Sequence, residues 1–220
     1  MERRRTDVAW AAGAVLALAA CCAAIDGAAV SDVEERAFRA VNDVSGVVYP
    51  VLWPLMQFGT FVSIPVVVAL ALAFRRVRLA VEAGGAAVAA YLLAKVVKDL
   101  FPRDRPGALL EGVHLRGIGT GGRGFPSGHA AVSTALAFVL WPALPRPWRW
   151  LVAALAVVVS LMRVYVGGHL PLDVIGGAAL GIACGAIATF AGGVVRPRGR
   201  ARRRAVRRGA PARVNPTSAV

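Results

Sequence analysis

Charged residues are scarce in this 220-residue chain, at 17%, against roughly a quarter in soluble domains. The negative sign is the scarcer one: 12 Asp and Glu stand against 26 Lys and Arg, a formal charge of +14. Cysteine is limited to three residues. Cys21 and Cys22 are adjacent and Cys184 lies in a distant apolar run, so their spacing supports neither a disulfide framework nor a Cys/His metal site. These shortages argue against a soluble enzyme, a disordered chain or a disulfide scaffold. What is abundant is apolar sequence, 57% of residues, with a mean hydropathy of +0.62. A chain both greasy and basic fits a multi-span membrane protein with basic cytosolic edges.

Apolar stretches run over 8–25, 49–74, 79–98, 127–144, 148–167 and 171–195. A bilayer core needs about 20 helical residues, so each is long enough or nearly so. The expected fold is therefore all-α, a bundle of six transmembrane helices over residues 1–195, followed by an Arg-rich, disordered cytosolic tail at 196–220. The fourth stretch is the shortest, and the second carries Pro50, Pro54 and Pro65. Gly177, Gly181 and Gly185 recur on one face of the sixth, which favours close helix packing. With the N-terminus in the cytosol, 17 of the 26 basic residues fall on the inner side, nine of them Arg in 196–220. Both termini are thus expected in the cytosol of a plasma membrane protein. Arg3–Arg5 ahead of an apolar run also fits a signal peptide, and Leu18-Ala19-Ala20-Cys21 a lipoprotein cleavage box. The run exceeds the usual signal core of about 7–15 residues, which favours an uncleaved first span.

Between the first two spans, 31–45 reads as an amphipathic helix on the outer surface, with Val33, Ala37, Phe38 and Val41 on one side. Ser31 and Glu34 form a capping box at its start. The loop over 99–126 is 28 residues long, beyond the length at which loops are usually idle connectors.

Three polar clusters follow: Lys98 with Arg105-Pro106, Pro126-Ser127-Gly128-His129, and Arg163 with His169 and Asp173. The span order brings all three to the outer face, where ionisable residues at membrane depth are functional by default. Lys98, Arg105 and Arg163 supply positive charge, with Arg able to grip phosphate oxygens bidentately. Ser127 and Gly128 open a helix whose free N–H groups favour an anion, and Gly128 lets the backbone approach closely. Pro171 suits the first turn of a helix, which sets Asp173 within reach of His169. A carboxylate on one ring nitrogen fixes the tautomer and leaves the other nitrogen to attack. His129 is then placed to protonate a leaving oxygen. The set is a phosphoryl-transfer site without metal or cofactor.

The spacing K-x6-R-P (98–106), P-S-G-H (126–129) and R-x5-H-x3-D (163–173) resembles the type 2 phosphatidic acid phosphatase superfamily, with all three motifs in order over 76 residues. The resemblance implies a phosphohistidine intermediate on His169, oriented by Asp173, with His129 as general acid. It also implies a phosphate held by Lys98, Arg105, Ser127, Gly128 and Arg163, and independence of divalent metal. One position departs: the superfamily usually carries Ser before the third-motif Arg, and Met162 stands here, removing one hydroxyl contact.

The expected activity is hydrolysis of the phosphomonoester or pyrophosphate of a membrane lipid, either a polyprenyl diphosphate such as undecaprenyl diphosphate or phosphatidic acid. A lipid phosphotransferase would use the same residues. A transporter or flippase would instead carry polar groups near mid-membrane, where these spans hold only Gln57. Lys95 reads as a snorkelling lysine and His114 as a loop residue, while Arg103 and Arg123 either touch substrate or make the loop basic for headgroup attraction. The basic tail lacks interleaved aromatics, so attraction to anionic lipid explains it better than nucleic acid does.

Overall fold

The computed structural model describes residues 2–25, 29–117 and 121–192. The predicted tail at 196–220 lies outside them. Among the described residues the regular structure is helical, with a lone antiparallel bridge between Asp104 and Arg123. The α-helices are α1 (Glu2–Ala24), α2 (Asp32–Asn42), α3 (Tyr49–Met56), α4 (Ser63–Ala73), α5 (Val77–Leu100), α6 (Pro106–Leu109), α7 (Gly128–Leu140), α8 (Arg146–Tyr165) and α9 (Pro171–Gly192).

Four helices are long and apolar enough to cross a membrane: Arg5–Ala24, Val77–Leu100, Arg146–Tyr165 and Pro171–Gly192. The expected second span is bent: Gly46–Gly59 and Ser63–Ala73 meet at 68°, giving a fifth if the pair is counted as one. The break follows from local chemistry. Pro54 lies inside α3, and the chain passes through a 3-10 turn at Gln57–Gly59 before α4 begins. Proline removes a helical hydrogen bond and clashes with the preceding turn. Gly59 is needed there, since a Cβ would come within 2.8 Å of the His129 carbonyl oxygen.

The expected fourth span is the short apolar helix Gly128–Ala143. It forms the middle of the bundle, packed by α5, α8 and α9, and buries residues around its circumference, among them Ala131, Val132, Leu136 and Val139. A helix apolar on all sides is a buried one. Against it α5 presents an alanine stripe of Ala83, Ala87, Ala90 and Ala94. On α9 the glycines do what their spacing predicts. A Cβ on Gly177 would strike the Ser127 carbonyl, and one on Gly181 the Ala131 carbonyl. These helices therefore meet backbone to backbone.

The outer helix departs from expectation. Ser31 caps α2 by accepting from the Glu34 amide at 3.3 Å, as the capping box requires. Yet Val33 and Ala37 are exposed, and the buried face is Glu34, Phe38 and Asn42. Glu34 does not return to the cap because its carboxylate is engaged elsewhere in the fold: Arg103 and the Leu172 amide hold it. This helix is docked on α8 and α9 through polar groups.

Candidate active site

The motif residues sit where helices begin or end. Lys98 is in the last turn of α5 and Arg163 in the last turn of α8. Arg105 and Ser127 are the N-cap residues of α6 and α7. Asp173 lies in the first turn of α9, and His169 in the short link before it. Gly167 makes that link possible with a φ of 75°, a left-handed conformation that side chains resist.

Backbone and side-chain bonds join the three motifs. The Ser127 amide donates to the Asp173 carbonyl at 2.8 Å, and the His169 amide to the Arg163 carbonyl at 3.1 Å. Lys98 Nζ donates to the carbonyls of Arg123 (2.9 Å) and Gly124 (3.0 Å), drawing the long loop over the end of α5. Lys98, Arg105, Arg163 and His169 all lie close enough to His129 to act on it electrostatically, so the predicted set converges on one end of the bundle.

Asp173 is wholly buried. Its Oδ2 accepts from the Leu170 amide at 2.8 Å and lies 3.6 Å from His169 Nδ1. That separation is an ion-pair distance, longer than a hydrogen bond. It assigns Nδ1 to the carboxylate side and leaves Nε2 as the other nitrogen. Burial pushes His169 down from 6.5 to about 4, with Asp173 opposing the shift and Arg163 and Lys98 adding to it. At neutral pH the imidazole is therefore uncharged.

Several buried polar atoms here have no hydrogen-bond partner among the described residues: Ser127 Oγ, Arg163 Nε and His169 Nδ1. The Arg163 guanidinium donates through Nη1 to the Met56 sulfur at 3.5 Å. Unsatisfied buried groups are costly, and all three belong to motif residues. The Ser127 amide, expected to face an anion, is taken by Asp173. The opening-turn amides of Gly128, His129 and Ala130 remain without intrahelical partners. A Cβ on Gly128 would meet no atom within 4 Å. Met162 turns away into the core with Met56, Tyr165 and Val166 and so offers the site nothing.

Two arginines expected near substrate have structural partners. Arg103 is buried between Glu34 (2.5 Å) and Asp173 (3.2 Å). Arg123 pairs with Asp99 at 2.6 Å. Lys95 lies over the Tyr91 ring, 4.6 Å from its centroid, and His114 is exposed near Asp43. Sequence reasoning missed the role of Glu34. The available signal was its place in the 34, 38, 42 series, a carboxylate on the face that carries Phe38. Among the described residues, no group of three His, Cys, Asp or Glu is placed to hold a metal ion. A separate apolar cleft of about 1200 Å³ opens between α1, α7, α8 and α9, lined by Trp10, Phe138, Trp141, Val157 and Ile182 among others, and by none of the motif residues.

The chain belongs to the PAP2 superfamily, whose pattern it matches over residues 79–193. It is 37% identical over 130 residues to an undecaprenyl-diphosphatase of Sulfolobus acidocaldarius, covering 58% of this chain and 62% of that protein. The match thus spans less than two thirds of that relative's length. It is 33% identical over 159 residues to the bacitracin transport permease protein BcrC of Bacillus licheniformis, covering 69% of this chain and 77% of that protein. A decaprenylphosphoryl-5-phosphoribose phosphatase of Mycobacterium tuberculosis is 37% identical over 131 residues, covering 59% and 69%. Among solved structures, Aquifex aeolicus LpxE superposes with a TM-score of 0.60 at 28% identity, over 70% of this chain and 92% of that one. The phosphatidylglycerolphosphate phosphatase of Bacillus subtilis shares the fold, with a TM-score of 0.66 at 22% identity over 81% and 93% of the two chains. With its membrane-length helices, the chain is a multi-pass membrane protein.

Proposed function

We propose that this protein is a lipid phosphate phosphatase that removes a phosphoryl group from a polyprenyl phosphate or diphosphate. The observation that carries the reading is the pairing of His169 with Asp173 at 3.6 Å beside the cations Lys98, Arg105 and Arg163, at one end of a bundle of membrane-length helices. A headgroup at the membrane surface is where such a site can reach a phosphate. The apolar cleft along α8 and α9 gives a hydrocarbon chain a surface to lie against. Two relatives point the same way by name, both to a polyprenyl substrate. A third bears a transport name, but the ionisable groups here stand at helix ends rather than mid-bundle, which favours chemistry over translocation.

His169 Nε2 attacks phosphorus as the bond from phosphorus to the lipid-side oxygen breaks. His129, as general acid, gives a proton to that oxygen. Lys98, Arg105, Arg163, the Ser127 hydroxyl and the opening amides of α7 hold the non-bridging oxygens, where charge stabilisation is most of the catalysis. Asp173 balances the positive charge that forms on His169. Water then attacks the phosphohistidine, its proton passing to neutral His129. The P–N bond breaks, and phosphate leaves with His169 restored. Lys98, Arg105 and Arg163 supply the positive charge this mechanism asks for, which supports a reaction independent of divalent metal.

The bent segment 46–73 and the short helix Gly128–Ala143 complete six spans, with the site at the outer face and the termini in the cytosol. Arg76 bonds the Ala143 carbonyl at 2.9 Å, and Arg5 lines one cleft with Trp141 and Pro142. The basic turns therefore share the end away from the site, and basic ends stay cytosolic. The test is phosphate release by detergent-purified protein from undecaprenyl diphosphate and from phosphatidate, with EDTA present, comparing wild type with His169→Ala. EDTA-resistant release from the polyprenyl lipid, abolished in the variant, is expected. Equal release by the two proteins would overturn His169 as nucleophile, and preference for phosphatidate would overturn the substrate class.

A further inference from the structure

We propose that Glu34 and Arg103 are positioning residues for this reaction: by holding the guanidinium, the Glu34 carboxylate leaves Asp173 with its negative charge free to act on His169. The inference rests on the phosphatase reading and extends it to a helix outside the three motifs. Asp173 divides its oxygens. Oδ2 faces His169 and the Leu170 amide, whereas Oδ1 accepts from Arg103 Nη1 at 3.2 Å. Arg103 in turn grips Glu34 with two nitrogens, Nη1 at 3.0 Å and Nη2 at 2.5 Å. The single nitrogen shared between the carboxylates is the shorter to Glu34. A bidentate, shorter contact is the stronger one, so most of the arginine's charge is answered by Glu34.

All three groups are buried, at 6%, 1% and 0% exposure for Glu34, Arg103 and Asp173, where solvent and salt screen them little. Their placement is rigid. Glu34 also accepts from the Leu172 amide at 3.0 Å, at the start of α9, and the Arg103 carbonyl accepts from the Gly124 amide at 2.6 Å. The other groups bearing on the pair are Lys98 from α5, Arg163 from α8 and His129 from α7 on the His169 side, with the Cys21 thiol of α1 near Glu34 and Asp173. Without Glu34 the guanidinium would settle onto Asp173 alone, and the carboxylate would lose its hold on the imidazole. Without Arg103 the carboxylate would keep that hold undiluted.

Opposite signs make the test. The fraction of His169 in the Nδ1–H tautomer is read at neutral pH by ¹⁵N-histidine NMR on the full chain in detergent, with the signal assigned by its loss in His169→Ala. Glu34→Gln keeps an oxygen for the Leu172 amide and removes the charge. The Nδ1–H fraction should fall, and kcat should drop about tenfold with KM within twofold, since the lost interaction is strongest in the transition state. Arg103→Gln breaks the same ion pair, yet its Nδ1–H fraction should equal or exceed that of wild type. A merely structural pair would lower the fraction in both variants alike, and that result, or an unchanged fraction in Glu34→Gln, overturns the proposal. Should Glu34→Gln fail to fold, Glu34→Asp carries the same test with a smaller fall, and no fall there overturns it. The tautomer is read whether or not lipid is hydrolysed, so a wild type that releases no phosphate overturns the phosphatase reading separately.

Discussion

The main-chain amide of Ser127 donates to the carbonyl of Asp173 at 2.8 Å, so the residue that opens α7 and the residue whose carboxylate lies 3.6 Å from His169 are held to one another. That bond requires α7 and α9 to meet without side chains between them. Gly177 lies directly beneath, where a Cβ would strike the Ser127 carbonyl.

Substitutions along the glycine stripe should therefore separate stability from activity. Gly185→Ala, whose Cβ would come within 2.9 Å of Phe138 Cβ, should cost about 1–3 kcal/mol, as overpacking does, with kcat nearly intact. Gly177→Ala should cost a similar amount and also lower kcat at least tenfold, because the displaced group is Ser127. Thermal melts in detergent beside kcat at a temperature where both variants are folded check this.

Gly128→Ala tests the proposed anion cradle. With no atom within 4 Å of the added Cβ, the variant should melt like wild type. Its methyl would crowd a phosphate resting on the opening amides of α7. Inhibition by inorganic phosphate should weaken about tenfold, roughly 1.4 kcal/mol.

Lys95 and Lys98 differ in what they hold. Lys98 binds the loop carbonyls of Arg123 and Gly124, whereas Lys95 rests on Tyr91. Lys98→Met should lower kcat/KM at least a hundredfold, in keeping with losing a charged contact of about 3 kcal/mol. Lys95→Met should leave it within twofold.

The legible part of the site was the part that obeys chemical spacing. Lys98, Arg105, Ser127, His129, Arg163, His169 and Asp173 could be placed because helix ends collect anion ligands and because span order brings those ends together. The stripe at Gly177, Gly181 and Gly185 was legible as periodicity. Glu34 and Arg103 were not, because the 34, 38, 42 series puts a carboxylate on the face of Phe38 without naming the buried guanidinium 69 residues away that it meets. The kink after Pro54 was signalled by proline, but its depth depends on Gly59 packing against His129, a tertiary contact. Local pattern reports faces and ends, and only the packed structure reports which polar groups are enclosed together.

The pH dependence follows from His169. Its titration lies below the ordinary 6.5, at about 4, because burial disfavours the imidazolium. The acid limb of kcat/KM assigned to this group should fall well below pH 6.5. Asp173→Asn removes the contribution that raises it and should move the limb lower still. For stability the sign is the same: the unfolded chain binds the proton more tightly, so the contribution is full above about pH 6.5 and is lost as pH falls through about 4. Urea titrations between pH 4 and 7 should show stability rising with pH.

The central claim is a phosphoryl group on His169, and trapping it is the most direct measurement. Protein mixed with ³²P-labelled polyprenyl diphosphate is quenched in alkali, where phosphohistidine survives, then digested and sequenced by mass spectrometry. Label on the peptide containing His169, absent in His169→Ala and accumulating in His129→Ala when the leaving group needs no proton, is the predicted result. Label confined to His129, or phosphate released through a species that never labels the protein, would contradict it.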